Sequence, residues 1–163
     1  MAKIYQRRYL KCPYNRARDL LADAVQQAAE SREKRQLRLT FGVPALSSAE
    51  ITKDVTVAVS TAVDPNHFDQ PWQLHWEPVS GPYPSFDGTL TIRADEDYTT
   101  SILELQGNYK PPLGALGAAF DSMLGSRVAH ETARELLQSI GERIEAKYNS
   151  EEAAKAVASI EIT

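Results

Sequence analysis

The chain has 163 residues, 42% of them hydrophobic and 25% charged, with a formal net charge of −4. That length suits one domain with a core that needs no metal or disulfide, and the composition excludes wholesale disorder and fibrous architectures. A mildly acidic balance and only short, broken basic runs (Arg7-Arg8 and Arg32-Glu33-Lys34-Arg35) argue against a nucleic-acid partner.

The predicted elements run as follows. Ile4 to Leu10 is rich in strand formers and ends at Pro13. From Tyr14 to about Glu30, Ala17, Leu20, Leu21, Ala24, Val25 and Ala28 recur at three and four residues, the spacing of an amphipathic helix, and Pro13 suits its first turn. Leu37, Leu39, Phe41 and Val43 alternate as a strand. Ser47 to Glu50 reads as a turn, and Val55, Val57 and Val59 form the next strand.

After the Asp64-Pro65-Asn66 turn, Trp72, Leu74 and Trp76 share one face while Gln73, His75 and Glu77 take the other. Gly81 to Pro84 is a stiff connection. Phe86, Gly88, Leu90 and Ile92 then point one way, Asp87, Thr89, Thr91 and Arg93 the other, before a charged hairpin turn at Ala94 to Asp97. Leu103, Leu105, Gly107 and Tyr109 complete the inward set. Short turns between successive strands predict an antiparallel meander with one wet face.

The dry face needs a cover, which the chain supplies beyond Pro112: Leu113, Leu116, Phe120, Met123, Leu124 and Val128, then Ala133, Leu136, Leu137, Ile140 and Ile144. At about 100° per residue the two groups point to different sides, so the helix is either kinked or restarted near Gly125-Ser126. The fold class expected is α+β, a helix-grip arrangement of six or seven antiparallel strands curved around a long C-terminal helix. Residues 1–150 form that single domain, and 151–163 form a tail whose structure the pattern leaves open.

Trp76-Glu77, Pro84, Gly88-Thr89-Leu90, Leu103, Gly107 to Gly114, Gly117, Asp121, Val128-Ala129 and Leu136-Leu137 together resemble the closing half of bacterial proteins of the START-like superfamily, also called SRPBCC or Bet v 1-like. The resemblance covers roughly residues 55–147. It implies a cavity between sheet and helix that takes a lipid, sterol, quinone, polyketide or similar apolar metabolite, with cyclisation or dehydration in a minority of members.

The cavity lining expected is Trp72, Leu74, Trp76, Leu90, Ile92, Leu103, Leu105, Tyr109, Phe120 and Leu124. Tyr109 is the leading polar contact, and Arg127 and His130 are further candidates because they share one side of the helix with Arg134. A close-packed core is the competing reading for the apolar set, and a solvated helix face for the two cations.

Non-covalent binding of a small hydrophobic or aromatic metabolite is the leading functional expectation. The alternative is a polyketide cyclase or dehydratase in the same cavity. Three scattered histidines and the lone Cys12 predict no metal site, and no phosphate loop or G-x-S-x-G motif implies a cofactor or a hydrolase. A single cysteine, no signal-like N-terminus and no long apolar run point to a cytoplasmic protein without stable membrane insertion. Oligomeric state is left open.

Overall fold

The structure, a computed structural model, describes residues 2–30, 42–43, 51–52, 55–60, 72–78, 84–111 and 122–160. In chain order the elements are β1 (Ala2–Leu10), α1 (Tyr14–Glu30), β2 (Gly42–Val43), β3 (Ile51–Thr52), β4 (Val55–Ser60), β5 (Trp72–Pro78), β6 (Ser85–Ala94), β7 (Ser101–Lys110) and α2 (Ser122–Ile160). The strand expected over Leu37 to Val43 is described only at Gly42–Val43, and the turn at Ser47 to Glu50 lies outside the described residues.

One antiparallel sheet has the order β1-β7-β6-β5-β4, and among the described residues β2 pairs with β3 in a separate two-stranded sheet. Among the described residues the sheet therefore has five strands, not the six or seven expected. The meander β4 to β7 runs as consecutive neighbours, and β1 returns to pair with β7, so the first and fourth meander strands differ in role: β4 is an edge and β7 is interior.

Register places the inward set on one face. Trp76 lies opposite Phe86, which lies opposite Tyr109; Leu74 faces Gly88 and Gly107; Trp72 faces Leu90 and Leu105; Ile92 faces Leu103. Trp76, Phe86, Leu90, Leu103 and Leu105 are all buried. The opposite face is polar: Tyr5 donates to Glu104 at 2.7 Å, Arg93 also bonds Glu104 at 3.0 Å, and Lys110 bonds Asp87 at 2.8 Å.

The β6–β7 turn is built on Asp95. Its carboxylate accepts from the Glu96 amide and the Thr100 hydroxyl, both at 2.9 Å, and these hydrogen bonds hold its pKa below the usual carboxylate range. Tyr98 takes a φ of 60°, left-handed for a side chain with a Cβ, in a turn closed by the Asp95–Thr100 and Tyr98–Asp95 backbone bonds.

α2 runs unbroken through Gly125-Ser126. Val128, Ala129, Thr132, Ala133, Leu136, Leu137 and Ile144 are buried along one continuous stripe, extended by the partly buried Ile140 and Tyr148. The helix therefore does not restart at Ser126. Thr132 is accommodated inside that stripe because its hydroxyl donates to the Val128 carbonyl at 2.7 Å.

The cover of the sheet is shared between two helices. α2 lies over β1 and β7, while α1 packs on α2 and reaches β6 and β4. Among the described side chains of α1, Ala17, Leu20 and Leu21 are buried. An Arg16–Glu151 ion pair ties α1 to the far end of α2, and beyond it every residue from Glu152 to Ile160 is exposed. The segment after 151 is thus helical as far as Ile160, projecting past the body of the fold.

Candidate functional site

The inner sheet face is organised around Phe86. Trp76 sits directly across from it on β5, and the two rings stack with centroids 4.1 Å apart and planes 14° apart. The Trp76 indole N–H donates to the Pro84 carbonyl at 3.2 Å, which satisfies a buried donor and fixes the ring.

Gly88 and Gly107 explain where the Phe86 ring lies. They face each other across β6 and β7, and a Cβ on either would come within 2.4 to 2.5 Å of Phe86 Cζ. Two adjacent strands thus lack side chains at one point on the inner face, and the phenyl ring lies back across the bare backbone. Phe86 was among the inward residues of the strand pattern but not in the expected lining; the glycine pair opposite each other is the signal that marks it.

Around this centre the structure brings together most of the expected set. Leu74, Trp76, Leu90, Leu103, Leu105 and Tyr109 are buried on the one face, with Trp72 and Ile92 partly buried against the same cluster. Phe120 lies outside the described residues, as does the side chain of Leu124.

The polar candidates separate. Tyr109 is buried at the end of the aromatic row, only 5% exposed. Arg127 is exposed on α2 and does not share that environment. His130 is half-buried, with Nδ1 placed 2.8 Å from the Ser126 carbonyl and 3.4 Å from its hydroxyl. A carbonyl only accepts, so Nδ1 carries the proton and the neutral ring keeps its lone pair on Nε2.

Cys12 is buried, and burial pushes its thiol up to about 11, which removes it as a nucleophile near neutral pH. His75 points away from the core and bonds Asp87, whose carboxyl is held below the usual range by Lys110 first and His75 second. Among the described residues no group of His, Cys, Asp or Glu is placed to hold a metal ion, and no helix is long and apolar enough to cross a membrane.

The pattern missed the inner face of β1. Ile4 and Leu10 are buried there, and the same period of two places Gln6 and Arg8 between them, both half-buried beneath α2. Arg8 donates from Nη1 to the Gln138 carbonyl at 3.1 Å and pairs with Glu145 at 3.6 Å. Gly141 makes room for it: a Cβ there would lie 2.5 Å from Arg8 Nε and 2.9 Å from Leu10 Cδ2.

An antiparallel sheet packed on a long C-terminal helix, with its apolar face turned toward that helix, is the START-like or SRPBCC fold, and the chain has it. Solved structures that share it include two aromatase/cyclases. The Zhui aromatase/cyclase from Streptomyces sp. R1128 aligns at a TM-score of 0.55 with 10% identity, over 88% of this chain and 93% of that one. The di-domain aromatase/cyclase BexL from the BE-7585A biosynthetic pathway aligns at 0.52 with 14% identity, over 89% of this chain and 47% of that one. No family model matches the sequence, and no curated protein is significantly similar to it.

Proposed function

We propose that this protein binds a small hydrophobic or aromatic metabolite, of lipid, quinone or polyketide type, in a cavity between the sheet and the C-terminal helix. The observation that carries the reading is the inner face itself: an apolar surface from Trp72 to Leu105 with the aromatic row Trp76–Phe86–Tyr109 at one end. Tyr109 supplies the placed polar group that orients a ligand among apolar walls. Affinity comes from surface removed from water, at about 25 cal/mol per Å² before the costs of association. Fold likeness to two aromatase/cyclases supports the ligand class by analogy.

Residues 1–150 act as the single binding domain, with the end of α2 as an extension. A cytoplasmic location fits the lone, buried Cys12. The second reading, a cyclase or dehydratase in the same cavity, rests on Tyr109 and on the His130 Nε2 lone pair, because Arg127 is exposed. Native mass spectrometry after gentle purification tests the binding reading: a retained apolar molecule, or a saturable adduct from lipid, quinone or polyketide panels, is expected. Only empty protein across all three panels would overturn it.

A further inference from the structure

Arg8 does more than join β1 to α2. Beside it, between the edge strand and the helix, opens a groove of about 150 Å³ lined by Gln6, Arg7, Arg8, Arg134, Leu137 and Gln138. Five of the six lining side chains carry N–H donors, and three of those are permanently cationic. Among the described residues no carboxylate lines it. The nearby acids are already engaged along the helix: Glu131 and Glu135 with Arg134, Glu142 with the Gln138 amide, and Glu145 with Arg8 and the Lys11 amide.

The volume is well below the roughly 300–1,000 Å³ of pockets for drug-sized ligands, yet it has room for several waters and hence for a group of phosphate size. Its two central cations are prepared differently. The Arg8 side chain is 24% exposed and its guanidinium is anchored by the Gln138 carbonyl and Glu145, so little freedom is left to lose. Arg134 is 60% exposed and is held by Glu131 and Glu135 on its own helix, pairs that water screens and an incoming anion can exchange.

We propose that this groove binds a small oxyanion, a phosphate or carboxylate group, between Arg8 and Arg134. The guanidinium fork of each arginine matches two oxygens of such a group, the amides of Gln6 and Gln138 reach its flanks, and Leu137 provides a dry floor. The groove lies at the β1 edge of the same inner face, where Gln6 and Arg8 pair with Leu105 and Leu103, and the proposal does not depend on what the apolar part of that face binds.

Isothermal titration and ¹⁵N spectra of the full chain at low ionic strength test the proposal, with inorganic phosphate and acetate as probes and chloride as the control. A saturable response at the Arg8 Nε–H and at the Gln6 and Gln138 amides is expected, weakened about five-fold or more by Arg134→Gln. That variant removes an exposed side chain and keeps the Arg8 anchor, so its melting temperature reports folding separately. Flotation with phosphatidylcholine vesicles, with and without phosphatidic acid, separates the sources of the anion. Capture that needs phosphatidic acid and Arg134 supports the site with a lipid headgroup as its ligand, while a response to free phosphate alone supports a soluble one. Overturning results are no saturable response in either assay, or phosphate binding of equal strength in Arg134→Gln.

Discussion

Replacing Gly107 by alanine should cost far more than the substitution suggests. The new Cβ would lie 2.4 Å from the Asp87 carbonyl oxygen and 2.5 Å from both Gly88 Cα and Phe86 Cζ. Ordinary contact begins near 3.4 Å, so the overlap is about 1 Å on three sides, two of them backbone. Rotating the phenyl ring does not relieve it, because Phe86 is fully buried and stacked on Trp76, whose indole is tied to the Pro84 carbonyl. The gain of about 0.5–1 kcal/mol that alanine normally brings over glycine in a strand is outweighed by overpacking. A net loss of about 2–3 kcal/mol follows, which for a domain of this size lowers Tm by roughly 5–10 °C. Calorimetry on Gly107→Ala, alone and combined with Phe86→Leu, checks it. The second change should recover part of the loss and not all, since the backbone overlaps remain. An unchanged melting temperature in the single variant would refute the placement of Phe86 over the glycine pair.

Gly141→Ala poses a question of sign, because alanine favours a helix by about 1 kcal/mol while its Cβ overlaps Arg8 and Leu10. We expect a net loss of about 1 kcal/mol in the native background and a gain once Arg8 is replaced by alanine, read from urea unfolding of the four variants. Asp87 is held below the usual carboxylate range by Lys110 and His75. Its contribution is therefore present above its unfolded pKa near 4 and disappears as pH falls through the lower folded value. Asp87→Asn should flatten the stability profile in that acid range while costing under about 1 kcal/mol at neutral pH, since the pair is exposed. With its thiol near 11, Cys12 should resist Ellman's reagent in the folded protein and react fully in denaturant; rapid modification of the native chain would contradict its burial.

The later strands were legible because each repeats with period two and each is bounded by a turn of its own. Trp72 to Trp76, Phe86 to Ile92 and Leu103 to Tyr109 needed only parity to be assigned a common face, and the observed register puts them there. α2 was harder to read. Its stripe was divided near Gly125 by angular projection, yet Val128 falls in line with Thr132 and Leu136, so the buried face has one phase from that point on. The strand count depended on whether a short segment such as Gly42–Val43 joins the main sheet, and pairing partners are not encoded in alternation.

Arg8 illustrates what local pattern cannot reach. Ile4 and Leu10 place it inward, but an arginine beneath a helix makes physical sense only through partners about 130 residues away: the Gln138 carbonyl, Glu145 and the notch at Gly141. The polar candidates on α2 failed to group for a related reason. Arg127 and His130 are three apart, close enough to share a side, yet one is exposed and the other bonds back to its own helix.

The most direct test of the central claim is a titration of the folded protein with a neutral planar probe, 1-aminoanthracene, followed by indole and methyl NMR. Saturable shifts are expected at Trp72, Trp76, Leu74, Leu90 and Leu105, with Tyr5, Thr89 and the rest of the outer face unmoved. Shifts confined to the outer face, or no saturation at all, would contradict an apolar ligand site beneath the helix.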